Sequence, residues 1–116
     1  AILNQVVHQT VLDTTFAAIA DPTRRAVLER LRTGPATISE LAEPFSITLT
    51  GMKKHVGVLE AAGLVATHKV GRARVCELGP RRLDDAAAWI DQWRRDTADR
   101  LDRLAQVVQR QKEQRR

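Results

Sequence analysis

A pair of short helical stretches joined by a tight turn at residues 45–47 constrains the fold of this chain more than any other feature. The first stretch, ISELAEPF, follows Thr37, which has the Thr-x-x-Glu spacing of a capping box, and it stops near Pro44. The second follows Thr48, a suitable N-cap, and ends at Gly63, a residue suited to a left-handed helix end. The sequence therefore predicts two consecutive helices with very little chain between them.

Helical periodicity also precedes and follows this pair. An initial helix is predicted to stop before Asp21 and Pro22, which can cap and begin a second helix, TRRAVLERLR, that ends at Gly34. The first helix is expected to be short, with Val11, Leu12, Phe16, Ile19 and Ala20 at helical spacing, and the inner face of the second is expected from Ala26, Val27, Leu28 and Leu31. From Arg81 onward, apolar residues at helical spacing predict one long helix.

Between the helical pair and the long helix the periodicity changes. Residues 64–69 and 74–78 read as two strands around a turn that contains Gly71, so a β-hairpin is predicted. The resulting fold is mainly α: four helices, a hairpin and a long last helix, which is the layout of a winged helix-turn-helix, a DNA-binding arrangement. We expect one domain over residues 1–116, with a winged-helix core at 12–80, a dimerisation helix at 81–110 and a frayed basic tail at 111–116.

Three segments in this order, FAAIADPTRRAVLERL, ATISELAEPF and TLTGMKKHVGVLEAAGLV, closely resemble the ArsR-type winged-helix repressors. The resemblance runs from Phe16 to Leu78 and points especially to the branch that carries a DPTRR segment. It implies a homodimeric transcriptional regulator, usually a repressor, that is joined through its first and last helices and binds a palindromic operator. Composition and spacing alone support only a basic winged-helix domain.

The net charge of +5 is concentrated in the middle and at the tail of the chain. Between Glu43 and Glu60 the only formal charges are two lysines, and between Glu60 and Glu77 they are three further basic residues. An uncompensated basic stretch of this kind suits a polyanion such as double-stranded DNA, and an ordinary solvated basic face is the alternative.

The helix that begins after Thr48 has two contrasting faces. At helical spacing, four apolar residues share one side and are expected in the core: Leu49, Met52, Val56 and Leu59. Two glycines, Gly51 and Gly57, lie opposite, where each costs about 1 kcal/mol relative to alanine. Close approach to the wall of a DNA groove would explain them.

The residues predicted to contact DNA lie on this helix and on the hairpin. Those on the helix are Thr48, Thr50, Gly51, Lys53, Lys54 and His55, and those on the hairpin are Lys69, Arg72 and Arg74. The helix start suits phosphate or base edges, Lys54 could reach guanine, and Lys53 suits the backbone. His55 matches a histidine of the family and is expected to bond to backbone or phosphate, whereas the hairpin suits the minor groove. Solvated surface residues are the alternative for all of them.

The long last helix carries more apolar surface than a thin monomer could cover. A homodimer interface is therefore expected, formed by Val7, Val11, Leu12, Trp89, Ile90, Trp93, Leu101 and Leu104.

Metal sensing and catalysis are both disfavoured. Many ArsR-type proteins use cysteines in the helix before the recognition helix, where this sequence has Glu40 to Glu43, and the last helix has no histidine. The single cysteine, Cys76, is expected to be a buried small hydrophobe rather than a redox switch. No nucleophile motif or phosphate-binding loop is present, so we expect neither an enzyme nor a metal or other cofactor.

No apolar run approaches the length of a membrane span, and the N-terminus lacks the layout of a signal peptide, so a cytoplasmic protein without a membrane partner is expected. The sequence leaves one alternative function open, a winged-helix dimer that binds another protein instead of specific DNA.

Overall fold

The computed structural model describes residues 2–115, with side chains from residue 9 onward. The elements in chain order are α1 (Ile2–Ile19), α2 (Pro22–Leu31), β1 (Ala36–Thr37), α3 (Ile38–Ala42), a 3-10 helix (Glu43–Phe45), α4 (Leu49–Ala61), β2 (Val65–Val70), β3 (Ala73–Leu78) and α5 (Asp84–Gln114). The chain divides into two compact units, the first ending at Leu83 and the second consisting of α5 and the residues after it.

Side chains at the helix starts confirm the predicted caps. Thr37 and Glu40 form a reciprocal capping box, in which the N–H of Glu40 donates to the Thr37 hydroxyl and the N–H of Thr37 donates to the Glu40 carboxylate, both at 3.1 Å. The Thr48 hydroxyl accepts from the N–H of Gly51 at 3.0 Å and so begins α4. These bonds satisfy N–H groups that a helix cannot pair internally.

The segment between α1 and α2 caps two helices at once. The carboxylate of Asp21 accepts from the N–H groups of Thr23 at 2.8 Å and Arg24 at 3.1 Å, which starts α2. The Arg24 side chain turns back to donate to the carbonyls of Ala18 at 2.7 Å and Ala17 at 3.0 Å. Because these carbonyls lie at the end of α1, the arginine ties the two helices together.

A three-stranded antiparallel sheet has the order β1-β3-β2. The predicted hairpin is present, with Val65 opposite Leu78 and Val70 opposite Ala73, and Gly71 in the turn has a φ of 61°. Strand β1, whose Ala36 pairs with Cys76, was not predicted. A strand of two residues carries no periodicity, so only its partner strand reveals it.

The core of the first unit is built from helices α1 to α4 and the sheet. Its most deeply buried large side chains are Val27, Leu41, Met52, Leu59, Val65 and Cys76. At the end of α4, Gly63 adopts a φ of 76°, as expected for a left-handed helix end, and its carbonyl accepts from the N–H of Arg81 at 3.0 Å. The end of α4 is thereby tied to the chain that leaves β3.

Helix α5 starts and stops later than expected. The backbone of Arg81 is bonded to Gly63, so the helix begins at Asp84 instead of Arg81. The tail predicted to fray at 111–116 is helical as far as Gln114, because glutamine, lysine, arginine and glutamate are good helix formers. Asp91 lies 3.9 Å from Arg94, an ion pair three residues apart along the helix. Trp89 and Trp93 stack with ring centroids 6.2 Å apart.

Candidate nucleic-acid interface

The inner face of α4 is buried as predicted except at its first residue. Met52, Val56 and Leu59 are 0% to 3% exposed, whereas Leu49 is 50% exposed, so the prediction that Leu49 lies in the core was wrong. Helical spacing places Leu49 in line with Val56, but the first turn of α4 lies beside an open groove, and none of the elements that the structure describes covers it.

That groove lies between α4, the hairpin and the start of α3, and has a volume of about 620 Å³. On the α4 side it is lined by Leu49, Lys53, Val56, Gly57 and Glu60; the other lining residues are Thr37, Ile38, Ser39, Thr67, Lys69, Arg72, Ala73 and Arg74. Four basic residues on two elements, three of them on the hairpin, therefore face one concave surface. We call it the helix–wing groove.

A series of side-chain hydrogen bonds holds the hairpin against α4 inside this groove. The Thr67 hydroxyl of β2 donates to the Glu60 carboxylate of α4 at 2.6 Å, and Arg74 of β3 donates to the same hydroxyl at 3.4 Å. Glu60 is the one carboxylate among the lining residues, and this bond occupies one of its oxygens. The remaining charged lining groups are cations, which leaves the surface suited to an anion.

The two glycines of α4 have different local surroundings. A Cβ added at Gly51 would lie 3.2 Å from the Thr48 hydroxyl, a few tenths of an ångström closer than an ordinary contact. A Cβ added at Gly57 would have no atom within 4 Å. Gly51 thus lies beside its own N-cap, whereas the backbone at Gly57 is open on the groove side.

The adjacent lysines of α4 occupy different edges of the helix. Both are exposed, but Lys53 lines the helix–wing groove and Lys54 does not. Thr48 and Thr50 are also exposed at the helix start outside the groove lining. The sequence-predicted residues therefore separate into a groove edge, which meets the hairpin, and an outer edge centred on Lys54.

His55 lies apart from both edges. Its Nδ1 is 3.3 Å from Nη1 of Arg24 and 3.9 Å from the Asp21 carboxylate, and its side chain is partly buried. The bond from the N–H of Arg24, with smaller contributions from Thr23 and the charges of His55 and Arg24, holds the pKa of Asp21 below its ordinary value of 3.8. His55 thus joins α4 to the cap of α2, a contact that the sequence alone did not predict; its bond to backbone or phosphate stays a prediction.

Other predicted residues are distributed over both units. Cys76 is fully buried, and burial, with a smaller effect from Glu60, raises the pKa of its thiol above 9.0. Leu12 is buried within one chain, whereas Val11 is half-buried. The side chain of Val7 lies outside the described residues. Trp89, Ile90, Trp93, Leu101 and Leu104 on α5 are all exposed.

Among the side chains that the structure describes, no three histidine, cysteine, aspartate or glutamate residues are grouped to hold a metal ion. Within residues 2–115, no helix is both long and apolar enough to cross a membrane.

Residues 19–68, which run from the end of α1 into β2, match a family of helix-turn-helix domains. The transcriptional repressor SdpR of Bacillus subtilis is 32% identical over 79 residues, an alignment that covers 68% of this chain and 88% of SdpR. The transcriptional regulator Rv2034 of Mycobacterium tuberculosis is 39% identical, with 61% of this chain and 66% of that protein covered.

The chain is also similar to solved structures of ArsR-type regulators. The ArsR family transcriptional regulator RHA00566 is 45% identical, with a TM-score of 0.70 and coverage of 75% of this chain and 90% of that one. An ArsR-like regulator from Rhodococcus sp. RHA1 is 28% identical, with a TM-score of 0.75 over 90% of this chain and 95% of the other. This chain belongs to the ArsR-type family of winged helix-turn-helix transcriptional regulators.

Membership confirms the predicted fold class and the prediction that the chain is not an enzyme, because the family consists of DNA-binding transcriptional regulators. In winged-helix terms, α3 and α4 form the helix-turn-helix, α4 is the recognition helix, and the β2–β3 hairpin is the wing.

Proposed function

We propose that this ArsR-type regulator is a homodimeric repressor that binds a palindromic operator through α4 and the wing. The observation that carries the proposal is the helix–wing groove, in which Lys53, Lys69, Arg72 and Arg74 face one surface beside the exposed start of α4. The similarity to SdpR, which is described as a transcriptional repressor, supports the direction of regulation.

Each edge of α4 has its own proposed role. The start of the helix, with Thr48, Thr50 and Gly51, approaches phosphate or base edges, where a helix N-terminus favours negative charge. Lys54 on the outer edge reaches the O6 and N7 atoms of a guanine in the major groove. Lys53 and the wing cations hold the phosphate backbone or enter the minor groove. His55 supports α4 through Asp21 and Arg24, and its partly exposed ring remains a candidate for a bond to phosphate.

The homodimer is proposed from α5. Five of its large apolar side chains are 42% to 61% exposed in a single chain: Trp89, Ile90, Trp93, Leu101 and Leu104. A second copy would cover them, with Val11 as a candidate contributor from α1. Two-fold symmetry in the protein calls for two half-sites related in the same way, which is the reason for a palindromic operator.

The proposal is tested with an operator selected by the purified protein from a pool of random duplexes. Lys54→Ala should cost about 1 to 3 kcal/mol on this operator and much less on random duplex, because a base contact is lost. Arg72→Ala should weaken binding to both duplexes by similar factors and make the salt dependence shallower by about one unit, because a phosphate contact is lost. Titrations over a range of salt measure both effects.

Lys112→Ala is the matched control, since it removes the same charge from an exposed position on α5. It should bind both duplexes nearly as the wild type does. If the wild type selects no sequence, or if all variants bind equally, DNA recognition by this face is refuted. A winged-helix dimer that binds another protein would then be the better account.

A further inference from the structure

The exposed side chain of Leu49 is not explained by the fold. It occupies the first position of α4, at 50% exposure, while the three apolar residues that follow on the same face are buried. Around it, the helix–wing groove is lined by four cations, and Lys53 lies one helical turn further along the same edge of α4. An apolar side chain in such a surface contributes little to the core and remains available for contact.

The position of Leu49 places it where recognition helices meet base edges. The residues at the start of a recognition helix are the ones that reach bases in the major groove, while flanking cations contact the phosphates. Two turns along the same edge, Gly57 presents backbone with no atom within 4 Å of an added Cβ. The groove edge of α4 therefore presents a leucine at its start, then a lysine, then bare backbone.

The chemistry of leucine limits what it can recognise. Its side chain has no hydrogen-bond donor or acceptor, so it cannot pair with the polar groups of guanine, adenine or cytosine. The apolar group that DNA displays in the major groove is the C5-methyl of thymine. We propose that Leu49 is a specificity-determining residue that contacts a thymine methyl group in each half-site. This inference rests on the proposed function and adds to it the base that is read, thymine, and the group that is contacted, its C5-methyl.

Replacement of thymine by uracil removes that methyl group and leaves the hydrogen-bonding edge unchanged. Each thymine of the selected operator is replaced in turn, in both half-sites, and affinity is measured for wild type, Leu49→Ala, Leu49→Met and Leu78→Ala. At one or two positions the wild type should lose about fourfold in affinity per methyl group. Leu49→Ala should not distinguish the two bases there, whereas Leu49→Met, which keeps an apolar side chain, should still distinguish them.

Leu78→Ala is the matched control, because Leu78 is 46% exposed and does not line the helix–wing groove. It should show the same uracil sensitivity as the wild type, and circular dichroism should show all variants folded. The inference is overturned if no replacement weakens wild-type binding, or if Leu49→Ala stays as sensitive as the wild type. Either result leaves sequence-specific binding intact, whereas equal affinity for operator and random duplex would refute the proposed function as well.

Discussion

Helices α4 and α5 both carry an apolar stripe, but the two stripes have different surroundings. On α4 the stripe from Met52 to Leu59 is almost completely buried by elements of its own unit. On α5, Leu101 and Leu104 are about as exposed as Trp93, and Ala86 is the one buried residue among those described in this helix. The apolar side of α4 is thus complete in one chain, and that of α5 is not.

This difference separates folding from assembly. Because the inner face of α4 is buried, the helix can present its other two edges at a fixed position, which base recognition requires. The apolar side chains of α5 gain stability only when another surface removes them from water. The same kind of sequence pattern therefore supports a recognition helix in one place and a proposed dimer interface in the other.

The largest effect should come from the buried stripe. Leu59→Ala removes a side chain that is fully buried in α4, so it should lower the free energy of unfolding by about 2 to 5 kcal/mol. Urea denaturation followed by circular dichroism measures it. A loss below about 1 kcal/mol, the level of a typical mutation, would mean that the core around α4 is looser than the structure shows.

Leu101→Ala on α5 should have a smaller and different effect. If a second copy covers this leucine, the dissociation constant of the dimer should rise roughly tenfold. This corresponds to a loss of about 1.4 kcal/mol in the free energy of dimerisation. Sedimentation over a range of concentrations measures the shift, and the wild type should be a dimer at micromolar concentration.

Arg103→Ala is the control for Leu101→Ala. It also shortens an exposed side chain of α5, but Arg103 is not among the residues of the proposed interface. It should sediment as the wild type does. A wild type that is monomeric at micromolar concentration would remove the contrast between the two helices and with it the two-half-site proposal.

The smallest effect concerns Asp21, the N-cap of α2, which also contacts His55 of α4. The pKa of Asp21 is lowered in the folded chain, so its charge contributes stability that is fully present above pH 3.8 and is lost as the pH falls through the lower native value. Asp21→Asn keeps a capping oxygen but cannot ionise. The difference in unfolding free energy between wild type and this variant should therefore shrink on acidification, as measured by urea denaturation at a series of pH values.

Asp21→Ala extends this test, because it removes the capping oxygen as well as the charge. The difference in unfolding free energy between Asp21→Ala and Asp21→Asn should not change with pH. A difference between wild type and Asp21→Asn that stays constant through this range would show that the N–H groups of Thr23 and Arg24 do not stabilise the ionised carboxylate.

Local interactions explain which parts of this fold could be predicted from the sequence. The caps at Asp21, Thr37 and Thr48 and the left-handed glycine at Gly63 involve residues only a few positions apart, so their spacing alone determined the helix boundaries. The hairpin was predicted in the same way, from the residues of its turn and from the strand-like periodicity on either side. The motifs that identified the family lie in these same segments.

Only the tertiary structure decided which side chains face the helix–wing groove. Leu49 and Val56 share one face by periodicity, yet one is exposed and the other buried, because coverage depends on elements that are distant in sequence. In the same way Lys53 turns toward the wing and Lys54 away from it, and His55 meets Arg24 from a different helix. A spacing rule gives the direction of a side chain around its helix, whereas what it meets there is determined by the packing of the whole unit.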